Sequence, residues 1–133
     1  MRFIIILCAL TCIFTQNIKK SVQYLIKHAH ARSQGYCAKY VANALKAGGF
    51  KFNPQPSAYM YHTKGIMRGM GFTQIQRGSP REGDVYVQDR TKSHIHGHIA
   101  MYTSKGWVSD FVQKSDQVYR SDAGKRYYYR FSS

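Results

Sequence analysis

Three residues of this chain combine a side-chain type and a spacing suited to nucleophilic catalysis: Cys37, His98 and Asp110. Cys37 lies within SQGYCAKYVANALKAGG, residues 33–49. In that stretch Ala38, Val41, Ala44, Leu45 and Gly48 recur at helical spacing, and the Gly48-Gly49 pair supplies a stop. The thiol is therefore expected in the first turn of a helix. Unpaired backbone N–H groups and the positive end of the helix dipole favour a thiolate there and can hold an oxyanion. A thiolate nucleophile also needs a base within hydrogen-bond reach and a polar group to orient that base. His98 begins the apolar-rich stretch HIAMYT, and Asp110 falls in the next one, WVSDFV. Counting inward from a turn at Ser104, Lys105 and Gly106 puts His98 and Asp110 roughly opposite each other on neighbouring strands. Taken singly, each has a plainer reading: a small buried apolar residue, a strand histidine, a turn or edge charge.

The elements that would position these residues follow from periodicity. In residues 17–31, Ile18, Val22, Leu25, Ile26 and Ala29 share one helical face, with Lys19, Lys20, Gln23 and Lys27 elsewhere, which predicts a helix packed on the core. After the Cys37 helix, Pro54 and Pro56 mark a loop. Ser57 is placed to cap a short third helix that Gly69 and Gly71 end, with Tyr59, Tyr61 and Phe72 partly packed. From Gly83 the period changes. Val85 and Val87 alternate with Tyr86 and Gln88, and residues 97–103, 107–112 and 126–131 are β-rich. Helices first and an antiparallel sheet afterwards make an α+β domain, and 133 residues at 44% hydrophobic content support one such domain.

The first fourteen residues, MRFIIILCALTCIF, join one Arg to an apolar run of about a dozen residues, too short to span a bilayer and typical of a secretory signal over residues 1–16, cleaved between Thr11 and Gln16, with an uncleaved anchor as the alternative. The expected mature domain is residues 17–133, secreted, without stable membrane insertion. Removing the signal takes away Cys8 and Cys12 and leaves Cys37 as the one cysteine. An idle thiol is unusual in an oxidising compartment, which favours a chemical use for Cys37. The full chain carries a formal charge of +14; loss of Arg2 leaves 19 basic residues against 6 acids, or +13. Such a surface attracts polyanions, and charge alone does not choose among nucleic acid, anionic lipid and anionic wall polymers.

A cysteine opening a helix, followed by a histidine and a polar residue on neighbouring strands, resembles the papain-like peptidoglycan amidases of the NlpC/P60 and CHAP type. More closely, SQGYCAKYVANALKAGG, GDVYV, HGHIAMY and GWVSDF resemble the second subfamily of type VI secretion amidase effectors. Bacterial effectors of this kind carry no signal peptide. The chain therefore resembles most the domesticated amidase effectors that ticks and mites secrete against bacteria. The resemblance implies a papain-like NlpC/P60-type fold with Cys37 as nucleophile, His98 as base and Asp110 as the third polar group, a position for which Ser109 and Gln113 compete. Ser33, Gln34 and Tyr36 lie close enough to Cys37 in the sequence to help shape an oxyanion and substrate site, with the Cys37 backbone amide the stronger candidate, and His96 beside the cleft is expected to contact substrate or solvent. The expected substrate is bacterial peptidoglycan within an anionic cell wall, cut at stem-peptide or cross-link amides, with the bond between D-alanine and meso-diaminopimelate preferred. Neither a metal nor an organic cofactor is implied, nor a nucleic-acid partner.

Two rivals come from the residues themselves. His94, His96 and His98 alternate in SHIHGH and on one strand face would suit a zinc hydrolase, although Ser93 and Gly97 favour a loop beside the cleft for the first two. A non-enzymatic cationic protein coating walls or nucleic acid through Lys, Arg and its eleven Tyr is the other, with a basic ribonuclease beside it. Neither uses a thiol at a helix start.

Overall fold

The computed structural model describes residues 15–119 and 124–132. All but the last two residues of the expected signal segment, with Cys8 and Cys12, lie outside them.

Helix α1, Ile18–His28, starts at Asn17, whose side chain accepts the Lys20 N–H at 3.2 Å, and buries Ser21, Val22 and Leu25. Helix α2, Cys37–Ala47, buries Val41, Ala42, Ala44 and Leu45. The two helices pack against each other, and the Asn17 N–H donates to the Gly48 carbonyl at 2.7 Å. Only glycine fits at 48. A Cβ there would lie 2.1 Å from Ser21 Oγ and 2.6 Å from the Asn17 carbonyl.

One short helix, capped by Ser57 and ended by Gly69 and Gly71, was expected next. Two single turns stand there instead, α3 (Met60–Thr63) and α4 (Ile66–Gly69), divided by left-handed Gly65 (φ 67°). Neither is capped by a side chain. Ser57 points elsewhere, its Oγ 2.6 Å from His96 Nδ1. Tyr61 and Phe72 are fully buried rather than partly packed.

Among the described residues five antiparallel strands follow: β1 (Phe72–Ile75), β2 (Val85–Gln88), β3 (His98–Thr103), β4 (Gly106–Val108) and β5 (Arg126–Phe131), in the order β1-β5-β2-β3-β4. The strand FTQI escaped the sequence reading because its four residues do not alternate, with Phe72 buried, Thr73 and Gln74 exposed and Ile75 half-buried. Val85, Val87, Ile99, Met101, Val108 and Tyr129 join α1 and α2 in the main core, while Tyr86, Ala100, Trp107 and Tyr128 cluster together, with Ile75 and Tyr102 packed against them. Each fully buried aliphatic side chain contributes roughly 1.5–3 kcal/mol. Among the described residues no helix is long and apolar enough to cross a membrane.

The hairpin at Ser104-Lys105 forms as expected, pairing Thr103 with Gly106. The strand expected over residues 107–112 is shorter. Its ladder with β3 ends at the Met101–Val108 pair, and the Ser109 N–H turns back to the Phe111 carbonyl at 3.0 Å. The chain then bridges to the segment after α1: His30 N–H donates to the Asp110 carbonyl at 2.8 Å, and Val112 N–H to the His30 carbonyl at 3.1 Å. This bend sets the site.

Candidate active site

Cys37 is the first residue of α2, half-buried, and its thiol is within reach of the backbone N–H groups of Ile99, Ala38 and Cys37 itself. Ile99 follows His98 on β3, so the candidate nucleophile sits against the peptide next to the candidate base. Both line one cleft of about 430 Å³, with Ser33, His96, Asp110 and Tyr119 among its other walls. Gly97 brings the chain into β3 with φ +67°, and a Cβ there would lie 2.2 Å from the Gln88 carbonyl.

The environment corrects the expected resting thiolate. Burial pushes the Cys37 thiol up to about 11, Asp110 adds to the rise, and the three N–H groups only oppose it. His98, 4% exposed, is held below its ordinary value by burial, against the opposing effects of its Gln113 hydrogen bond and the Asp110 charge. At neutral pH both groups are uncharged at rest.

The hydrogen bond to His98 comes from Gln113. His98 Nε2 lies 2.7 Å from Gln113 Oε1, and both side chains are buried. The Gln113 Nε2 group donates to the Ser115 carbonyl at 2.9 Å and to Tyr86 Oη at 3.0 Å. A carbonyl can only accept, so the amide nitrogen faces Ser115 and its oxygen faces the ring. His98 must then carry its proton on Nε2, which leaves the Nδ1 lone pair as the base.

Asp110 does not take the ladder position expected of it, because β4 stops at Val108. Its buried carboxylate accepts the N–H of Gln34 at 2.6 Å, the N–H of Tyr36 at 3.1 Å and Ser109 Oγ–H at 3.2 Å. Asp110 thus holds the loop entering α2 while acting on Cys37 and His98 through space. Gln34 and Tyr36, expected as substrate contacts, serve that anchor through their backbones. The Tyr36 side chain is 58% exposed, and the Gln34 amide donates to the Arg32 carbonyl at 3.0 Å. Ser33 and His96 do line the cleft.

The three histidines of SHIHGH diverge. His94 stacks on Tyr119 with ring centroids 3.4 Å apart, His96 pairs with Ser57, and His98 pairs with Gln113. Among the described residues no group of three His, Cys, Asp or Glu is arranged to hold a metal ion. A larger cavity of about 470 Å³, lined by Trp107, Tyr128 and Arg77, is internally neutralised: Arg77 forks onto Asp116 at 2.9 Å through each nitrogen, and Tyr128 Oη–H donates to the same carboxylate. Its lining holds neither a cysteine nor a histidine.

This architecture matches the type VI effector–immunity complex Tae3–Tai3 from Ralstonia pickettii, with a TM-score of 0.74 and 32% identity over 87% of this chain and 99% of the matched one. The selenomethionine form of that complex matches with the same score and identity over 83% and 98%. The chain belongs to the Tae3 type VI effector family. Membership is carried by fold and identity together, since no protein-family model and no curated protein matches the chain. The match supports the α+β, effector-like fold; it speaks for Tae3, and the second-subfamily detail drawn from the sequence blocks is not part of it.

Within this family member, sequence reasoning passed over Tyr119, Phe111 and Ile95 as cleft walls. Tyr119 has no motif, and its ring reaches the site only because the chain after Asp116 folds back over His94.

Proposed function

We propose that this chain is a peptidoglycan hydrolase, a secreted bacteriolytic cysteine amidase that cuts stem-peptide or cross-link amides. The preferred bond is that between D-alanine and meso-diaminopimelate. The observation that carries the reading is the His98 tautomer fixed by Gln113, which offers a base lone pair in the cleft that also holds Cys37. Membership of the Tae3 effector family supports an amidase acting on bacterial walls. The NlpC/P60-type papain-like assignment, the amino-terminal signal and the likeness to the secreted effectors of ticks and mites complete the proposal.

With both partners neutral at rest, His98 Nδ1 takes the Cys37 proton as the sulfur attacks the amide carbonyl. Backbone N–H groups at the start of α2 stabilise the tetrahedral oxyanion. The His98 imidazolium passes its proton to the departing amine, leaving a thioester on Cys37. Water, deprotonated by His98, releases the acid and restores the thiol. No step calls on a metal.

Product analysis on purified peptidoglycan tests the reading. The parent should release fragments with a new amine and a new carboxylate, and Cys37→Ala should release none while staying within roughly 1–2 kcal/mol of the parent in stability. Cleavage by Cys37→Ala, or activity lost to a chelator and restored by zinc, overturns it.

A further inference from the structure

The sheet carries a second cavity on the face turned away from α1 and α2. Along β2, Val85 and Val87 enter the main core, so Tyr86 between them faces the other way, and its ladder partner Tyr128 on β5 goes with it. Trp107 on β4 packs edge-on against Tyr86 and Tyr102, with ring centroids 5.0 and 5.2 Å away, and lies 6.1 Å from Tyr128. Trp107 and Tyr128, with Ile75 and Pro80, form the apolar wall of the cavity of about 470 Å³. That is the size of a small-ligand site, roughly 300–1,000 Å³. It shares no lining residue with the cleft that holds Cys37.

Its polar groups are already fixed. The Asp116 carboxylate accepts the Arg77 fork and the Tyr128 hydroxyl and lies 3.7 Å from Arg126, so the Arg77 guanidinium is held with Nη1 facing away from the carboxylate. The Arg77 side chain is 60% exposed, and its remaining N–H donors are open to a ligand. The other acid of the lining, Asp84, is forked by Arg130 at 2.9 and 2.7 Å. On a chain of formal charge +14 this cavity is locally balanced, and it has no excess charge with which to draw a polyanion. A rigid aromatic wall beside fixed, charge-balanced donors suits a neutral sugar. The C–H face of the sugar ring lies on the aromatic wall, its N-acetyl carbonyl and hydroxyls accept from Arg77, and the acetyl methyl meets Ile75 and Pro80. We propose that this cavity is a carbohydrate-binding site for the neutral, N-acetylated sugar strand of the bacterial wall. The choice of sugar rests on the peptidoglycan reading above. Ser115 lines the cavity and its carbonyl accepts from the Gln113 amide, so the sugar site adjoins the group that orients His98.

The chain has a single tryptophan, so the emission of Trp107 reports on this cavity directly. The test titrates the full chain with tri-N-acetylchitotriose, an uncharged N-acetylated sugar, at low and at high salt. Trp107 emission should change saturably, with the same midpoint at both salts, because no charges are exchanged on binding. Arg77→Met should weaken binding by about tenfold, through loss of the fork's donors. Ser79→Phe, at an exposed lining position outside the Asp116 network, should fill the cavity and abolish the change while thermal unfolding stays that of the parent. No response in the parent, or parent-like affinity in both variants, overturns the site. A response to inorganic polyphosphate that fades with salt, where the sugar gives none, assigns the cavity to an anion and also overturns it. Peptidoglycan cleavage is read separately. A parent that releases fragments but ignores the trisaccharide overturns the site and leaves the amidase reading intact; one that binds the trisaccharide and releases no fragments supports the site and overturns the amidase reading.

Discussion

Gln113→Leu isolates the group that fixes the His98 tautomer. The substitution keeps much of the side-chain volume and removes three hydrogen bonds, to His98, Tyr86 and Ser115, at 2.7, 3.0 and 2.9 Å. At about 1 kcal/mol net for each bond, stability should fall by roughly 3 kcal/mol. The kinetic effect is separate. Without the Oε1 acceptor the imidazole can place its proton on Nδ1, and a tautomer preference worth about 1.4 kcal/mol corresponds to about tenfold in rate. Loss of ring orientation adds to this, so kcat/KM on a soluble muropeptide should fall by roughly 10- to 100-fold at equal folded fraction. Gln113→Glu supplies the sign test. It retains an acceptor and sets a negative charge beside the ring, which raises the His98 pKa. Activity requires neutral His98, so the acid limb of the pH profile should move to higher pH in that variant. The assay is kcat/KM across pH for parent and both variants, with thermal unfolding measured alongside. Parent-like kcat/KM in folded Gln113→Leu, or an acid limb in Gln113→Glu that stays put or moves down, refutes the reasoning.

Asp110→Ala should be milder than His98→Ala in kcat, yet cost about 2–3 kcal/mol of stability, because its buried carboxylate anchors two backbone N–H groups of the loop entering α2; equal and complete loss of activity in both variants would give Asp110 a larger chemical part. Alkylation of Cys37 in the resting protein should be slow at neutral pH and climb about tenfold per pH unit toward about 11, since burial disfavours the thiolate; a plateau near the ordinary thiol range of about 8.5 contradicts the neutral resting pair. Binding to whole walls should weaken as salt rises while turnover of a small soluble muropeptide holds steady; a parallel fall would place basic residues at the scissile bond.

Local pattern was enough for the helix that presents Cys37, the proposed nucleophile. Apolar spacing through Val41, Ala44 and Leu45 with the Gly48-Gly49 stop defines both its ends and its buried face, because a helix needs only its own residues to choose a period. The same holds for α1 and for the hairpin at Ser104-Lys105, where the signals are contiguous. Cys37 and His98 were legible for that reason: each is tied to a local element. The residue that pairs with His98 was left open among Asp110, Ser109 and Gln113, and only the fold brings Gln113 to the ring. Extending the β3–β4 register to residue 110 assumed a ladder that continues, whereas the bend at Ser109 is imposed by long-range backbone bonds to His30 and by an Asp110 carboxylate that captures Gln34 and Tyr36. That bend carries Gln113 back to His98, fifteen residues away in sequence. The protonation state was equally out of reach. A helix start favours a thiolate in isolation, but the burial of Cys37 against the Ile99 backbone and the core outweighs it, and burial exists only once the sheet has closed over the helix. Chain-local spacing determined which residues were equipped for the chemistry; packing decided which of them meet and in which charge state they wait.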